Sequence, residues 1–216
     1  MRFIDLSHVI VDGMVTYPGL PGPRIGEHLS WEASHARYAP GTEIRIAEIW
    51  MVANTGTYLD TPAHRYRDGW GIGELPLELV AAVPGIVVDA VGPAIGPEAF
   101  DSLDMAKRAV LVRTGWSRHW GMDRYGKSGH PYLTAEAADA LVGAAPALVG
   151  IDSVNIDGTH TGERPVHSTL LAAEIPIVEH LTRLDALPAE GFEFFAVPQR
   201  VEGMGTFPVR AFAIMQ

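Results

Sequence analysis

The densest run of reactive side chains is Asn54-Thr-Gly-Thr-Tyr58-Leu-Asp60-Thr-Pro-Ala-His64. It holds a carboxylate and an imidazole four positions apart, groups that can bind a cation or move a proton near neutral pH. Gly56 admits a backbone conformation or a close approach that a side chain would block. Pro62 fixes one backbone angle and removes a donor, so the run cannot continue as a central strand. The chain is therefore expected to turn here at the end of a strand, where sites are commonly built. If the segment stays extended, positions 54, 58, 60, 62 and 64 share one face and point Asn54, Tyr58, Asp60 and His64 the same way. Taken alone, the run also reads as a turn in which Asp60 bonds its own backbone.

A second concentration follows the apolar stretch that ends at Gly150-Ile-Asp152-Ser-Val-Asn-Ile-Asp157. His160, Glu163 and His167 come next, before Leu170-Leu-Ala-Ala. Glu179 then sits among Ile177, Val178 and Leu181. A carboxylate in that company is costly to bury unless it is paired or metal-bound. A salt bridge or an exposed turn is the alternative, and His180 could equally be the exposed residue. Tyr17, Trp50, Trp70 and Trp116 are candidates to line a pocket, with core packing the commoner role of such rings. His8 and His160 are candidates for supporting groups. Arg65, in the charged run Arg65-Tyr-Arg67-Asp68, either faces solvent or binds a substrate carboxylate.

The elements that must position these groups read as short strands and few helices. Phe3–Leu6 opens the chain. Ile44, Ile46 and Trp50–Val52 alternate as one half-buried strand. Residues 86–91, 109–113 and 147–152 are compact β-branched runs, expected in a sheet buried on both faces. Residues 192–197 and 208–214 close the chain as strands. Thr134 is placed to cap a helix over 135–142, with Glu136 in its first turn. Residues 75–82, 97–102 and 168–173 are shorter helical candidates. Strands interleaved with helices predict an α/β fold, a compact mixed sheet. No linker-like composition shift appears, so one domain is expected over residues 1–216.

Composition narrows the function. With 16 basic and 26 acidic residues, the formal net charge is −10 and the pI near 5.3. That balance opposes nucleic-acid phosphates and anionic membranes, so neither is an expected partner. There is no cysteine. Disulfides, thiolate metal sites and cysteine nucleophiles are excluded, and a metal would have to be held by imidazole, carboxylate or water. The first residues do not read as a signal peptide, and no apolar run reaches the length of a membrane span. The expectation is a soluble, cytoplasmic protein.

These islands, in their order, resemble the cyclase family, which includes bacterial kynurenine formamidases and isatin hydrolases. The family signature His-x-Gly-Thr-His-x-Asp-x-Pro-x-His is matched by Asn54-x-Gly56-Thr57-Tyr58-x-Asp60-x-Pro62-x-His64. Ile4-Asp-Leu-Ser-His8, Tyr17-Pro-Gly19, Val110 to Trp116, His130 to Thr134, Gly150-Ile-Asp152, His167 with Leu170-Leu171, Glu179, and Pro208 to Ile214 continue the likeness along almost the whole chain. The resemblance implies a swivelling β/β/α fold, a homo-oligomer (usually a dimer, or a tetramer), and a divalent-metal hydrolase of small molecules. Its reference substrates are N-formylkynurenine-like formamides of tryptophan catabolism. It further implies that Asp60, His167 and Glu179 hold a metal and that His64 handles protons.

The sequence departs from the family at Asn54 and Tyr58, where two histidines would help hold another ion. An asparagine oxygen is a weak zinc ligand and a neutral phenol a poor one, so that site is expected to be lost or weakened. Asp60, His167 and Glu179 remain for one ion, zinc or manganese. Tyr58 is then expected to donate a hydrogen bond to the developing oxyanion. The expected activity is hydrolysis of a small aryl formamide, cyclic amide or lactone, with His64 as general base. Two alternatives stay open: a metal-free cyclase or dehydratase on a polyketide-like intermediate, and an inactive small-molecule-binding homologue.

Overall fold

The computed structural model describes residues 1–215. The chain opens with β1 (Arg2–Asp5), then a hairpin of β2 (Arg24–Leu29) and β3 (Ile46–Trp50), with the single helical turn α1 (Trp31–Ser34) between them. After β4 (Tyr58–Asp60) comes a 3-10 turn over Pro62–His64. The middle of the chain forms β5 (Val83–Asp89), β6 (Ala94–Ile95), β7 (Ala109–Arg113), β8 (Tyr132–Leu133) and α2 (Ala135–Ala144). Then follow β9 (Leu148–Ile151), α3 (Pro165–Ala172), β10 (Ile177–Glu179), β11 (Glu190–Phe195), β12 (Thr206–Pro208) and β13 (Phe212–Met215).

Nine strands form one mixed sheet in the order β1-β13-β11-β5-β7-β9-β10-β4-β12. Its centre, β5-β7-β9-β10, is parallel, and the strands flanking it pair antiparallel. In β7, Ala109 and Leu111 enter one apolar cluster while Val110 and Val112 enter another, packed with α2 and α3. That two-sided burial is why residues 109–113 read as a continuous apolar run rather than an alternating one.

The sheet must curl. β12 and β13 stand seven strand positions apart, roughly 34 Å if flat at the usual strand spacing. Only Val209–Ala211 join them, a connection that reaches about 14 Å from Pro208 to Phe212. Backbone hydrogen bonds from Val209 N to Thr57 O and from Thr182 N to Leu6 O close the gap between the sheet's two ends. The expected single strand over 208–214 is accordingly two strands that serve opposite ends of one curled sheet.

Local signals and tertiary contacts divide the helices. Thr134 caps α2 as its position suggests, its hydroxyl accepting from Ala137 N at 3.2 Å. α3 begins at Pro165, three residues before the expected start, with proline at its first position. Its cap is remote: the Asp157 carboxylate accepts from Val166 N at 2.8 Å and His167 N at 3.0 Å. Residues 75–82 and 97–102 yield only 3-10 turns over Leu77–Leu79 and Pro97–Phe100.

The hairpin departs most from expectation. β3 pairs only with β2, and all five of its residues are exposed. Ile25, Ile46, Ile49 and Trp50 present apolar surface, with Arg24 stacked 4.6 Å from the Trp50 ring centroid. Half-burial fails because β3 has no layer packed over it within the described chain.

Candidate active site

The register around β4 gathers the site. Tyr58 lies opposite Glu179 of β10, and Asp60 lies opposite Thr206 of β12. Cross-strand partners point to the same face, and so do positions two apart. Tyr58, Asp60, Glu179 and Thr206 therefore share one face, while Leu59 and Val178 enter the core behind it. α3 brings His167 against that face, and the 3-10 turn after β4 brings His64. The expected extension through position 64 holds only to Asp60, because the chain turns at Pro62. Gly56 takes φ +68°, the left-handed conformation its type permits.

Each group is held from behind. Thr206 Oγ1 donates to Asp60 Oδ1 and lies 2.7 Å from His64 Nδ1. Since the threonine hydrogen goes to the carboxylate, its oxygen accepts from His64 Nδ1–H. This leaves the lone pair of a neutral His64 on Nε2. His167 Nδ1 donates to Asp157 Oδ2 at 2.6 Å, so its Nε2 is likewise the open nitrogen. Glu179 Oε1 accepts from Ile156 N at 2.6 Å, and Oε2 from Tyr58 Oη at 2.6 Å.

The buried charge is arranged for a cation. Asp60, His167 and Glu179 are all buried, and Asp60 Oδ2 has no hydrogen-bond partner among the described residues. His167 Nε2 lies 3.7 Å from Asp60 Oδ2 and 3.7 Å from Glu179 Oε1. A nitrogen and two oxygens so spaced, one of them orphaned, fit the donor set of a single divalent ion. Asp60, His64 and His167 also offer ligand atoms within 4.8 Å of one another. Burial pushes the Glu179 carboxyl up, with Asp60 adding and His167 opposing. Burial alone would lower His167, but Asp157, Asp60 and Glu179 outweigh it and raise its pKa.

Asn54 and Tyr58, which differ from the histidines of the family signature, both line the cleft beside this cluster. Burial, followed by the charges of Glu179 and Asp60, drives the Tyr58 phenol well above its ordinary pKa, with the Asn54 side chain pulling the other way. The phenol stays protonated and its hydrogen is committed to Glu179. Tyr58 thus holds Glu179 in place, and its expected hydrogen bond to an oxyanion does not fit this arrangement.

A cleft of about 700 Å³ opens onto these groups. Tyr17, Asn54, Tyr58, His64, Arg65, His167 and Glu179 line it, as do Arg164 and Asn155. Trp50 lies on the exposed hairpin, and Trp70 donates to Glu174 Oε1 at 3.1 Å; neither lines the cleft. Trp116 is core, its Nε1 bonded to Tyr125 O. His8 stacks on Trp120 at 3.8 Å, and His160 is exposed beside Tyr132. Asp152, at the end of β9, accepts from Thr114 and Gly115 and anchors the turn after β7. Thr206, Asp157 and Arg164 were not singled out as site residues from the sequence. Thr206 carries no local signal, since only the β4–β12 register brings it to Asp60.

Four likenesses to known proteins stand beside this geometry. The Cyclase family model, described as "Putative cyclase", matches residues 4–158. The kynurenine formamidase of Salinibacter ruber is 28% identical over 213 residues, covering 98% of this chain and 96% of its own. Isatin hydrolase A from Labrenzia aggregata, solved bound to benzyl benzoate, is similar in fold, with a TM-score of 0.85 and 23% identity over 99% of this chain and 93% of that one. A structure titled as a potential metal-dependent hydrolase with cyclase activity gives a TM-score of 0.78 at 25% identity, covering 98% and 96% of the two chains.

Proposed function

The chain belongs to the cyclase family, and on that footing we propose that it hydrolyses the C–N bond of a small aryl amide, with N-aryl formamides the first class to test. The observation that carries this reading is the buried cluster of Asp60, His167 and Glu179, of which His167 and Glu179 line the same cleft as His64. The relative named kynurenine formamidase, aligned over nearly the full length, supports the same chemistry.

Asp60, His167 and Glu179 would hold one divalent ion, zinc or manganese. Such an ion supplies Lewis-acid polarisation of a carbonyl and lowers the pKa of water. His64 Nε2 takes a proton from the attacking water as its oxygen adds to the amide carbonyl carbon. It returns that proton to the nitrogen as the C–N bond breaks, releasing a carboxylic acid and an amine. Asp60 and Thr206 hold His64 in the tautomer that can accept. Asp157 holds His167 with its open nitrogen toward the site, an outer carboxylate of the kind that tunes metal-bound histidines. Replacing His64 with alanine is expected to cost about 100-fold or more in arylamine release from formanilide, with an unchanged circular dichroism spectrum. Unchanged turnover would remove His64 from the mechanism.

Strands from both ends of the chain enter one sheet, which supports a single domain over 1–216. The exposed apolar hairpin supports a homo-oligomer, since a lone two-stranded ribbon is marginal in water. The absence of cysteine supports a reducing, cytoplasmic setting.

A further inference from the structure

We propose that Arg164 together with Arg65 forms an anion-reading rim, so that the preferred substrates are aryl amides bearing a carboxylate. This rests on the hydrolase reading for its kinetic consequence, but not for the binding of the anion.

Both arginines line the cleft, and neither makes an ion pair among the described residues. Arg45, Arg108, Arg113 and Arg210 have carboxylate partners, and none of those four lines the cleft. Glu179 is the one carboxylate-bearing residue lining the cleft, and both of its oxygens are already engaged. Neither guanidinium is therefore paired with the one carboxylate that lines the cleft.

The two side chains are also built into place. Ser168 Oγ donates to Arg164 O at 2.7 Å and accepts from Arg65 Nε at 3.1 Å, tying both positions to α3 beside His167. Arg164 Nη1 donates to Thr161 O at 2.9 Å and Glu163 O at 2.6 Å, which pins the guanidinium and leaves Nε and Nη2 uncommitted among the described residues. Arg65 keeps both terminal nitrogens uncommitted, its guanidinium 5.3 Å from the Tyr66 ring centroid. A planar fork with free N–H groups suits a carboxylate, which can take two parallel hydrogen bonds. Arg65 follows His64 directly and Arg164 precedes His167 by three residues. An anion on the rim would thus leave the amide at the buried groups.

The test pairs rates with binding. Hydrolysis of 2- and 4-formamidobenzoate is compared with that of uncharged formanilide in the parent, Arg65→Gln, Arg164→Gln and Arg164→Lys. The charged-to-neutral ratio of kcat/KM is expected to exceed about tenfold in the parent, to collapse in the glutamine variants mainly through KM, and to recover in part with lysine. In parallel, calorimetry measures 2-aminobenzoate against 2-aminobenzamide. Tighter binding of the acid that is lost in Arg65→Gln supports the proposal even if no formamide is turned over, a result that would sink the hydrolase reading alone. Equal affinity for acid and amide, or acid binding that survives both glutamine substitutions, overturns it.

Discussion

Thr206→Val keeps the shape of the side chain and deletes the one oxygen that touches both Asp60 and His64. Two bonds to ionisable groups are lost, each worth on the order of 1.5–3 kcal/mol when the partner is charged. Thr206 is the only hydrogen-bond donor to the Asp60 carboxylate among the described residues, so the acid is left bare. His64 loses the acceptor that fixes its tautomer, and its next carboxylate atom is 3.6 Å away. Losing such an orienting partner is expected to reduce kcat/KM about 10- to 100-fold, or roughly 1.4–2.7 kcal/mol in the barrier. Thr206→Ser, which restores the oxygen, should stay within about threefold of the parent. The assay is initial-rate hydrolysis of formanilide under saturating metal, with thermal unfolding to confirm the fold. Because part of the effect of Thr206 passes through His64, the same valine substitution in a His64→Ala background should cost less than it does in the parent, the remainder being the lost bond to Asp60. A Thr206→Val variant as active as the parent, or losses that simply add in the double variant, would refute the relay.

Three further outcomes follow from the same structure. A Cβ at Gly205 would stand 2.3 Å from His64 N and 2.6 Å from Ala63 C, so Gly205→Ala should displace the turn carrying His64, lowering both thermal stability and turnover; a variant that matches the parent in both contradicts the packing. Burial lowers the pKa of His8 to about 4, and burial with the His8 charge lowers His180 to about 3; both lie below the ordinary value of 6.5, so the unfolded chain takes up protons first. The contribution of these two histidines to stability should be full above pH 6.5 and fall as pH drops toward 4, by on the order of 3 kcal/mol for His8 alone, while the raised Glu179 carboxyl acts in the opposite sense; a urea midpoint whose change from pH 7 to 5 is the same in His8→Phe as in the parent would contradict this. Installing Asn54→His and Tyr58→His together should raise the metal content from one ion per chain to two, checked by elemental analysis; a double variant that still binds one ion would show that more than these two side chains blocks the second site.

How legible the molecule was depended on where each signal lies. β5, β7 and β9 could be read because both faces are apolar, so the chain itself carries the evidence. β4 and β10 could not, since each is three residues long and interrupted by the polar groups of the site. Glu179 stood out by its apolar neighbours, and the structure buries it with two donors. Thr206 and Asp157 depend on contacts 146 and 10 residues away in the chain, and no local pattern announces either. The hairpin misled for the opposite reason: its alternation promised a buried face, yet no element of the described chain packs over it.

The central claim is that one divalent cation sits among Asp60, His167 and Glu179. Metal analysis of protein purified without chelator, combined with anomalous diffraction from its crystals, tests it directly. The account predicts one ion per chain within bonding distance of those three side chains. No ion, two ions, or a single ion bound elsewhere would contradict it.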